Sequence, residues 1–477
     1  MTIIGIIALI NLILTVSLIF IERKKPEEML TWIIILWTVP IVGFIAYLIF
    51  GGTITIKLSY WKRNKDLCKG YLEVLNKQLQ EIKAFNINKG TEKFKELLPM
   101  IQFNLKNNES LLLENNEATV ITSGEEKYKL LFEDIRNAKE SIHIEYYTIH
   151  PDRVGEKLIK LLEEKAKEGV EVRIIFDGIA NIATKSKFYE KLIKDGGFIR
   201  KFRLWGLGTN FRNHRKIVVI DGKIAYTGGM NIGEQYANGH KRKNPWRDTH
   251  VRLLGESVGI LQYYFIKDWF YLSREGNVQI DVENLEKYFK YKETKEILPI
   301  QILTSGVESK ESNIKMAYCK MINTAKKRIC IQTPYIIPDD IILNALKTAA
   351  ASGVEVNLMI PLIPPSFLLK AVSDYYIDEL IKYNVKVFQY KGYIHAKTLI
   401  IDDYLTCIGS VNLDIRSLEL NNEICTLFYD DKFTIGYYDI FKEDLKNTIE
   451  LNYELFNNRS YGRRIVESIL RILAPII

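Results

Sequence analysis

One sequence pattern occurs twice in this chain of 477 residues. Residues 214–221 and 395–402 both read H-x-K-x-x-x-x-D, and the second copy begins about 180 residues after the first. Each copy leads into a turn of small residues that ends in asparagine, at Asn231 and at Asn412. The repetition predicts that most of the chain folds as two similar halves, with the same local structure at the same place in each.

Other short segments repeat at the same distance. The repeated pairs are Thr-Ser-Gly at 122–124 and 304–306, and Gly-Val-Glu-Val at 169–172 and 353–356. Between them, apolar runs of strand type alternate with stretches of helical periodicity. This alternation predicts an α/β fold in which largely parallel sheets are covered by helices on both faces. We expect a first half at residues 109–300 and a second at 301–477, with a ligand cleft between them.

Two long apolar runs precede the duplicated part. They cover residues 3–21 and 29–50 and are separated by a charged turn. Each run approaches the roughly 20 residues that a helix needs to cross a bilayer. The first run lacks the basic start and the small-residue cleavage site of a signal peptide. We therefore expect an anchor of two transmembrane helices in residues 1–57, followed by a charged helical connector at 58–108.

Charge and cysteine content restrict the partners and the compartment. The formal net charge of +8 suits an anionic partner such as phospholipid or nucleic acid. The five cysteines form no C-x-x-C pair and their number is odd, so they indicate neither a zinc site nor a full disulfide framework. Reduced cysteines favour the cytoplasm. These features predict a multi-pass protein of the cell membrane whose catalytic part lies in the cytoplasm.

The repeated pattern places a histidine and a lysine two residues apart. On a strand, side chains with this spacing point to the same face, so both can contact one phosphate group. Four residues are expected to do so: His214, Lys216, His395 and Lys397. One copy alone could equally be a core histidine beside a surface lysine, but two copies in a wider duplication favour a catalytic site. The small-residue turns would let the amides of Asn231 and Asn412 approach the same phosphate.

The two motifs, each followed by its small-residue turn, resemble those of the phospholipase D superfamily. The resemblance covers nearly all of residues 109–477 and implies two α/β/α sandwich halves packed around a central active-site cleft. It also implies a two-step transfer through a phosphohistidine, without a metal or cofactor. By similarity His214 would be the nucleophile and His395 the general acid and base, although the sequence does not order these two roles.

The same resemblance implies supporting roles for further residues. The two motif lysines and the two asparagines would stabilise charge on the phosphoryl oxygens. Asp221 and Asp402, the last residues of the catalytic motifs, would hold the local structure together. Asp248 and Glu423 would each hydrogen-bond one catalytic imidazole and fix its tautomer. A surface salt bridge is the alternative for each of these last two carboxylates.

Four stretches narrow the resemblance to the bacterial cardiolipin synthases: residues 213–235, 245–253, 332–339 and 409–423. That family implies transfer of a phosphatidyl group from one phosphatidylglycerol to another, releasing glycerol. The expected partners are phosphatidylglycerol and anionic membrane lipid, with no nucleic acid. The nearest alternative is a membrane phospholipase D that uses water and makes phosphatidic acid. A tethered nuclease and a non-catalytic lipid-binding scaffold are further alternatives, although two intact motifs argue against a scaffold.

The carboxyl end carries an amphipathic pattern. Ile465, Ile469 and Ile472 recur at helical spacing, and three arginines lie in the same segment. The pattern predicts either a membrane-proximal helix in the interface of an anionic bilayer or a terminal helix packed on the second half. The proline-rich residues 361–369 would form another lipid-facing loop.

Overall fold

The structure is a computed structural model, and it describes residues 3–22, 26–50, 54–84, 92–202, 211–237, 246–273, 284–292, 294–309 and 311–476. In these described ranges, six α-helices precede the first strand. They are α1 (Ile3–Ser17), α2 (Pro26–Thr38), α3 (Pro40–Phe50), α4 (Ile54–Arg63), α5 (Lys65–Ala84) and α6 (Glu92–Asn107), and a π-helical turn (Leu18–Glu22) follows α1.

The prediction of two transmembrane helices is wrong. Across the described ranges, no helix combines the length and the apolar character that crossing a bilayer requires. The first apolar run becomes the 15-residue helix α1 and a π-turn, and the second is divided into α2 and α3, with 13 and 11 residues.

Proline 40 explains why the second run does not form one helix. Pro40 has no N–H to donate to the carbonyl of Leu36, one turn earlier, and its ring crowds that turn. The side chain of Asn11 donates instead, with Nδ2 at 2.8 Å from the Leu36 oxygen and 3.3 Å from the Pro40 oxygen. Asn11 is buried against the break. Asn11, the polar residue that interrupts the first apolar run, therefore supplies a hydrogen-bond donor to the carbonyl groups at the break in the second run.

The first half of the duplicated part is a seven-stranded mixed sheet with helices on its faces. Its strands are β1 (Asn116–Ile121), β2 (Ser141–Tyr146), β3 (Glu171–Asp177), β4 (Phe198–Phe202), β5 (Ile217–Ile220), β6 (Ile224–Gly228) and β8 (His250–Gly255), in the spatial order β1-β8-β6-β5-β2-β3-β4; the short β7 (Trp246–Arg247) lies outside this sheet. Its helices are α7 (Gly124–Asn137), α8 (Arg153–Lys167), α9 (Lys187–Lys194) and α10 (Glu256–Leu272), followed by a 3-10 turn (Leu285–Tyr288).

The second half repeats this strand order and adds one edge strand. Its strands are β9 (Ile300–Ser305), β10 (Arg328–Gln332), β12 (Glu355–Pro361), β13 (Lys386–Tyr390), β15 (Thr398–Ile401), β16 (Leu405–Gly409), β18 (Glu423–Phe428) and β19 (Thr448–Glu450), in the order β19-β13-β12-β10-β15-β16-β18-β9; β11 (Ile336–Ile337), β14 (Tyr393–Ile394) and β17 (Leu413–Asp414) lie outside it. Its helices are α11 (Asn313–Thr324), α12 (Asp340–Ala351), α13 (Phe367–Ile381), α14 (Ile415–Glu419), α15 (Asp431–Leu445), α16 (Tyr453–Asn457) and α17 (Tyr461–Leu470), with a final 3-10 turn (Arg471–Ile476).

The expectation of two similar α/β halves therefore fits, but that of largely parallel sheets is wrong. In each sheet only two neighbouring strand pairs are parallel, namely β2-β3 and β3-β4 in the first half and β10-β12 and β12-β13 in the second. The motif strands instead turn back sharply as antiparallel hairpins, β5-β6 and β15-β16. Asp221 and Gly222 at the first hairpin both have positive φ, the usual signature of such tight turns.

The two halves share a hydrophobic cluster where they meet. Helix α10 is buried on nearly all sides between the sheets, with Leu261, Phe265 and Trp269 in a cluster that also contains Ile400 and Ile408 of the second half. The connector belongs to the second half's own core through α5 and α6. Residues 58–108 are therefore a docked layer where the structure describes them, rather than a free linker.

Candidate active site

The catalytic histidines of the two motifs are each held by the opposite half. His214 Nδ1 lies 3.0 Å from a carboxylate oxygen of Glu423, and His395 Nδ1 lies 2.6 Å from Oδ2 of Asp248. The two carboxylates occupy equivalent places in the two halves. Each lies two residues before the strand residue that pairs with the first glycine of the small-residue turn. All four side chains are largely buried.

Main-chain hydrogen bonds fix the same crossed arrangement. The N–H of His214 donates to the carbonyl of Asn422 at 2.8 Å, and the N–H of His395 donates to the carbonyl of Arg247 at 2.6 Å. Each acceptor directly precedes the carboxylate that holds the histidine. The short strands β7 and β14 pair in parallel beside the second contact. In each case, therefore, one short backbone segment of the opposite half positions both the catalytic histidine and the carboxylate that holds its imidazole.

The contacts of His214 define its tautomer. Its Nδ1 faces two acceptors, the carboxylate of Glu423 and the carbonyl oxygen of Ser410, both at 3.0 Å. The hydroxyl of Ser410 also donates to Glu423 and holds that carboxylate in place. The proton of the neutral ring therefore lies on Nδ1, which leaves the Nε2 lone pair available. Burial lowers the pKa of His214, with Lys216 and Lys397 adding to the effect and Glu423 opposing it.

His395 has a different electrostatic environment. Its Nδ1 lies near the carboxylate of Asp248 and also 2.9 Å from Nζ of Lys397, which donates to the carbonyl oxygen of His395 at 2.5 Å. Burial lowers the pKa of His395 to about 4, the charge of Lys397 lowers it as well, and Asp248 opposes both. Asp248 itself stays ionised, because His395 and Lys397 lower its pKa against the effect of burial.

The two lysines of the motifs are almost completely buried. Burial lowers the pKa of Lys216 to about 7 and that of Lys397 to about 8, and the charge of Lys397 contributes to the first of these shifts. Lys216 Nζ donates to the carbonyl oxygen of His214 at 2.6 Å, the counterpart of the contact between Lys397 and His395. Two mutually repelling cations beside two neutral imidazoles form a site that an anionic phosphate would stabilise.

The two asparagines are equivalent in their contacts. Asn231 Nδ2 donates to the hydroxyl of Tyr236 at 2.8 Å, and Asn412 Nδ2 donates to the hydroxyl of Tyr335 at 2.9 Å. In both residues Oδ1 is buried and has no hydrogen-bond partner among the described residues. An amide nitrogen carries two hydrogens, so each asparagine keeps one donor for a phosphate oxygen.

The last residues of the motifs lie at the opposite end of their strands from the histidines. The carboxylate of Asp221 accepts hydrogen bonds from the N–H groups of residues 139–141, at 2.7 to 2.9 Å. The carboxylate of Asp402 accepts from residues 326–328 over the same distances. Both aspartates have positive φ at the hairpin turn. Their contacts support the predicted role in holding the motif, and neither reaches the imidazoles.

Comparisons with known proteins agree with this site. A family model described as "Cardiolipin synthase, PLD-like domain" matches residues 131–244 and 318–445, and one described as phospholipase D-nuclease N-terminal matches residues 4–52. The major cardiolipin synthase ClsA of Bacillus subtilis is 37% identical over 98% of each chain. The cardiolipin synthase of a Listeria monocytogenes strain is also 37% identical, over 99% of this chain and 98% of its own.

The chain belongs to the cardiolipin synthase family. The predicted membership of the phospholipase D superfamily is thereby confirmed. The solved phosphatidylserine synthase of Haemophilus influenzae has the same fold, with a TM-score of 0.61 and 15% identity over 80% of this chain and all of that one.

Several residues of this cardiolipin synthase-type site were not predicted from the sequence. Tyr236 and Tyr335 orient the asparagines, Ser410 orients Glu423, and Tyr147 packs edge-on against His214 with ring centroids 4.8 Å apart. Tyr147 and Tyr335 lie just after β2 and β10, in the segments that the duplication already pairs. The repeat marks these segments, but it does not reveal which hydroxyl reaches which amide.

Proposed function

We propose that this protein is a cardiolipin synthase that transfers a phosphatidyl group from one phosphatidylglycerol molecule to the terminal hydroxyl of another. The observation that carries the proposal is the pair of neutral, buried histidines, each oriented by a carboxylate of the opposite half. The family membership supports a phospholipid substrate. Phosphatidylglycerol is the simplest choice, because it supplies both the transferred group and the accepting alcohol.

The first step forms a covalent intermediate. Nε2 of His214 attacks the phosphorus of the donor lipid, a P–N bond forms, and the P–O bond to the departing glycerol breaks. His395 gives its Nε2 proton to the leaving oxygen. The anionic phosphate that binds between Lys216 and Lys397 raises the pKa of His395. Nε2 of His395 is therefore protonated when the leaving oxygen departs.

The second step reverses the roles of the groups. The terminal hydroxyl of a second phosphatidylglycerol attacks the phosphohistidine, the P–N bond breaks, and the hydroxyl proton passes to His395. The lysines and the free amide hydrogens of Asn231 and Asn412 stabilise the charge on the phosphoryl oxygens in both steps. Water in place of the alcohol would give phosphatidic acid, so the synthase must exclude it.

The distribution of apolar side chains supports the proposal that the protein associates with a membrane. The loop after β12 leaves the sheet at the edge where the histidines lie and exposes Ile363, and Phe367 at the start of α13 is also exposed. Helix α17 packs on α13 through an ion pair between Arg463 and Asp374 at 2.6 Å, and its outer face exposes Ile465 and Ile469. We propose that this edge of the second sheet, together with the outer face of α17, meets the surface of an anionic membrane.

The cytoplasmic face of the cell membrane suits the catalytic part best. All five cysteines are free, and four of them are buried. Free thiols in a structure of this size are typical of a reducing compartment.

Product analysis tests the proposed function directly. The full-length protein is incubated with phosphatidylglycerol vesicles in the presence of EDTA, and the lipids are identified by mass spectrometry, beside the variants His214→Ala and His395→Ala. Cardiolipin and glycerol from the unmodified protein alone are expected. Phosphatidic acid without cardiolipin would instead support a phospholipase D, and trapping of the phosphoryl group on a His395 peptide would reverse the two roles.

A further inference from the structure

The first turn of helix α7 packs against the segment that carries Asn231. Gly124, where the helix begins, has no room for a side chain, because an added Cβ would overlap the carbonyl oxygen of Tyr236. The hydroxyl of Tyr128 lies 3.1 Å from the carbonyl oxygen of Asn231 and accepts the N–H of Gly233 at 3.0 Å. The start of α7 therefore supports this segment at several points.

Lys127 lies between these contacts in the same turn and also reaches the segment. Its side chain is completely buried, and Nζ donates to the carbonyl oxygens of Met230 at 3.0 Å and Asn231 at 3.2 Å. The centroid of the Tyr146 ring lies 4.8 Å from Nζ, within the range of a cation–π contact. Lys127 belongs to neither of the repeated motifs, and the two-step transfer gives it no part.

Lys127 occupies a position where an apolar residue would be expected. One and two turns further along the same buried face, α7 has Leu131 and Ile135. Burial lowers the pKa of Lys127 well below its usual value, an effect that Asp248 opposes and Lys216 increases. The ammonium group loses its hydration here, and two carbonyl groups replace that hydration only in part. Because packing alone would favour an apolar side chain, the hydrogen bonds of Lys127 indicate a function where they end.

The two hydrogen bonds of Lys127 end on both sides of the Cα atom of Asn231. The carbonyl of Met230 belongs to the peptide group before Asn231, and the carbonyl of Asn231 belongs to the peptide group after it. Fixing both planar groups fixes the direction in which the Asn231 side chain leaves the backbone. Its amide is then held by the hydroxyl of Tyr236, whose own carbonyl packs on Gly124. Helix α7 thus controls both ends of this residue.

The second half has a different residue at the equivalent place. The spacing of the repeat aligns Ser309 with Lys127, and α11 begins only at Asn313, whereas α7 begins within its Thr-Ser-Gly segment. The hydroxyl of Ser309 lies 3.5 Å from the carbonyl oxygen of Thr304, in the strand that precedes it. The two asparagines therefore have equivalent amide contacts, but the helix start beside Asn412 does not present a lysine at this place.

We propose that Lys127 is a positioning residue of the active site, which holds the backbone on both sides of Asn231 so that the free amide hydrogen of Asn231 points to a phosphoryl oxygen of the lipid. The inference rests on the proposed role of Asn231 in binding the phosphate. Its consequence is that the two asparagines are not interchangeable. Removing the side chain of Lys127 displaces Asn231 and leaves Asn412 in place.

A double-mutant cycle tests this role. Lys127→Met, which keeps the apolar stem but removes the donors, is combined with Asn231→Ala in the full-length protein. The initial rate of phosphatidyl transfer, counted as cardiolipin plus phosphatidic acid, is measured in phosphatidylglycerol vesicles. Asn231→Ala should lower this rate about a hundredfold, and Lys127→Met should lower it about tenfold or more. In the Asn231→Ala background, Lys127→Met should lower the rate by less than about threefold, because no amide remains to be positioned.

Two controls separate positioning from a general loss of structure. In the Asn412→Ala background, Lys127→Met should keep its full effect of about tenfold. Lys165, in α8, is also a largely buried lysine that donates to a main-chain carbonyl, that of Ala138 at 3.2 Å, near the Asp221 end of the sheet. Lys165→Met should lower the unfolding temperature to a similar extent but leave the rate at low temperature within about twofold of the unmodified protein.

Tyr128→Phe is a milder variant for the case that Lys127→Met does not fold. It removes a single hydroxyl from the same segment. We expect its rate to fall about threefold or more, and this effect should also disappear in the Asn231→Ala background. An undiminished effect there would overturn the inference that the start of α7 positions Asn231.

The outcomes of the cycle are distinct. Equal effects of Lys127→Met with and without Asn231→Ala would overturn the positioning role, and so would an unchanged rate in Lys127→Met. A nearly normal rate in Asn231→Ala would overturn the role of the asparagine and the inference with it. Phosphatidic acid without cardiolipin would overturn the synthase proposal alone, since the cycle is evaluated from the sum of both products.

Discussion

His395 Nδ1 lies 2.6 Å from Oδ2 of Asp248, a carboxylate that belongs to the other half of the duplicated fold. The reciprocal contact joins His214 to Glu423. Each half therefore supplies a histidine that it cannot orient by itself. The site is complete only when the two halves are packed together, which explains why they share a hydrophobic cluster around α10.

Replacing Asp248 by asparagine should greatly reduce the activity. The amide can no longer accept the Nδ1 proton as a charged partner, so the ring loses its orientation and the pKa of His395 falls further. We expect the rate of cardiolipin formation to fall about a hundredfold or more, the usual range for loss of acid–base function. Initial rates in phosphatidylglycerol vesicles measure this, and a nearly normal rate would show that the contact does not orient His395.

The low pKa of His395 predicts a pH effect on stability. The folded protein holds this group at a pKa of about 4, below the roughly 6.5 of an unfolded histidine. Between these values the unfolded chain binds more protons, so stability falls as the pH drops from about 6.5 to 4. Relative to His395→Asn, the unmodified protein should lose up to about 1.4 kcal/mol per pH unit in this window. Chemical unfolding of both proteins across the range tests it, and parallel curves would contradict it.

The sequence predicted the chemical groups of the site better than their partners. The spacing of histidine and lysine, and the repeated asparagine, selected side chains that the structure buries near the contact between the two halves, and their catalytic roles stay predictions. The crossed pairing of His214 with Glu423 and of His395 with Asp248 was not predictable, because it depends on how two whole sheets pack. Pro40 was visible in the second apolar run, but its effect on a 22-residue helix was underestimated. The Asp221-Gly222 pair was likewise not used to predict the antiparallel hairpin.

Gly229, in the small-residue turn after β6, is predicted to tolerate no side chain. A Cβ added at Gly229 would overlap Oδ1 of Asp248, so Gly229→Ala should push the carboxylate away from His395. We expect a loss of activity of about tenfold or more with a small change in the unfolding temperature. Gly436→Ala, in helix α15 with open space around the glycine, should keep full activity and unfold at the same or a slightly higher temperature.

Asp402 should matter for stability more than for chemistry. Asn at this position tolerates the positive φ but accepts the three backbone hydrogen bonds without a charge. Asp402→Asn should cost about 1–3 kcal/mol and lower the unfolding temperature by several degrees. Its initial rate at low temperature should fall far less than that of Asp248→Asn. The neighbouring Asp403→Asn, which breaks a more exposed ion pair, should lower the unfolding temperature much less, and an equal drop would contradict this role.

Membrane contact at the edge of the cleft can be tested with two equally exposed residues. Phe367, after the loop at the active-site edge, and Ile297, at the opposite end of the second sheet, are each 75% exposed. Inserting a phenylalanine side chain into the membrane interface contributes about 1.5–3 kcal/mol, and a glutamate there would also be repelled by anionic lipid. Phe367→Glu should therefore lower cardiolipin formation in phosphatidylglycerol vesicles about tenfold or more, with a smaller effect on lipid dissolved in nonionic detergent. Ile297→Glu should behave like the unmodified protein in both assays, and equal losses in the two variants would show that this edge does not face the membrane.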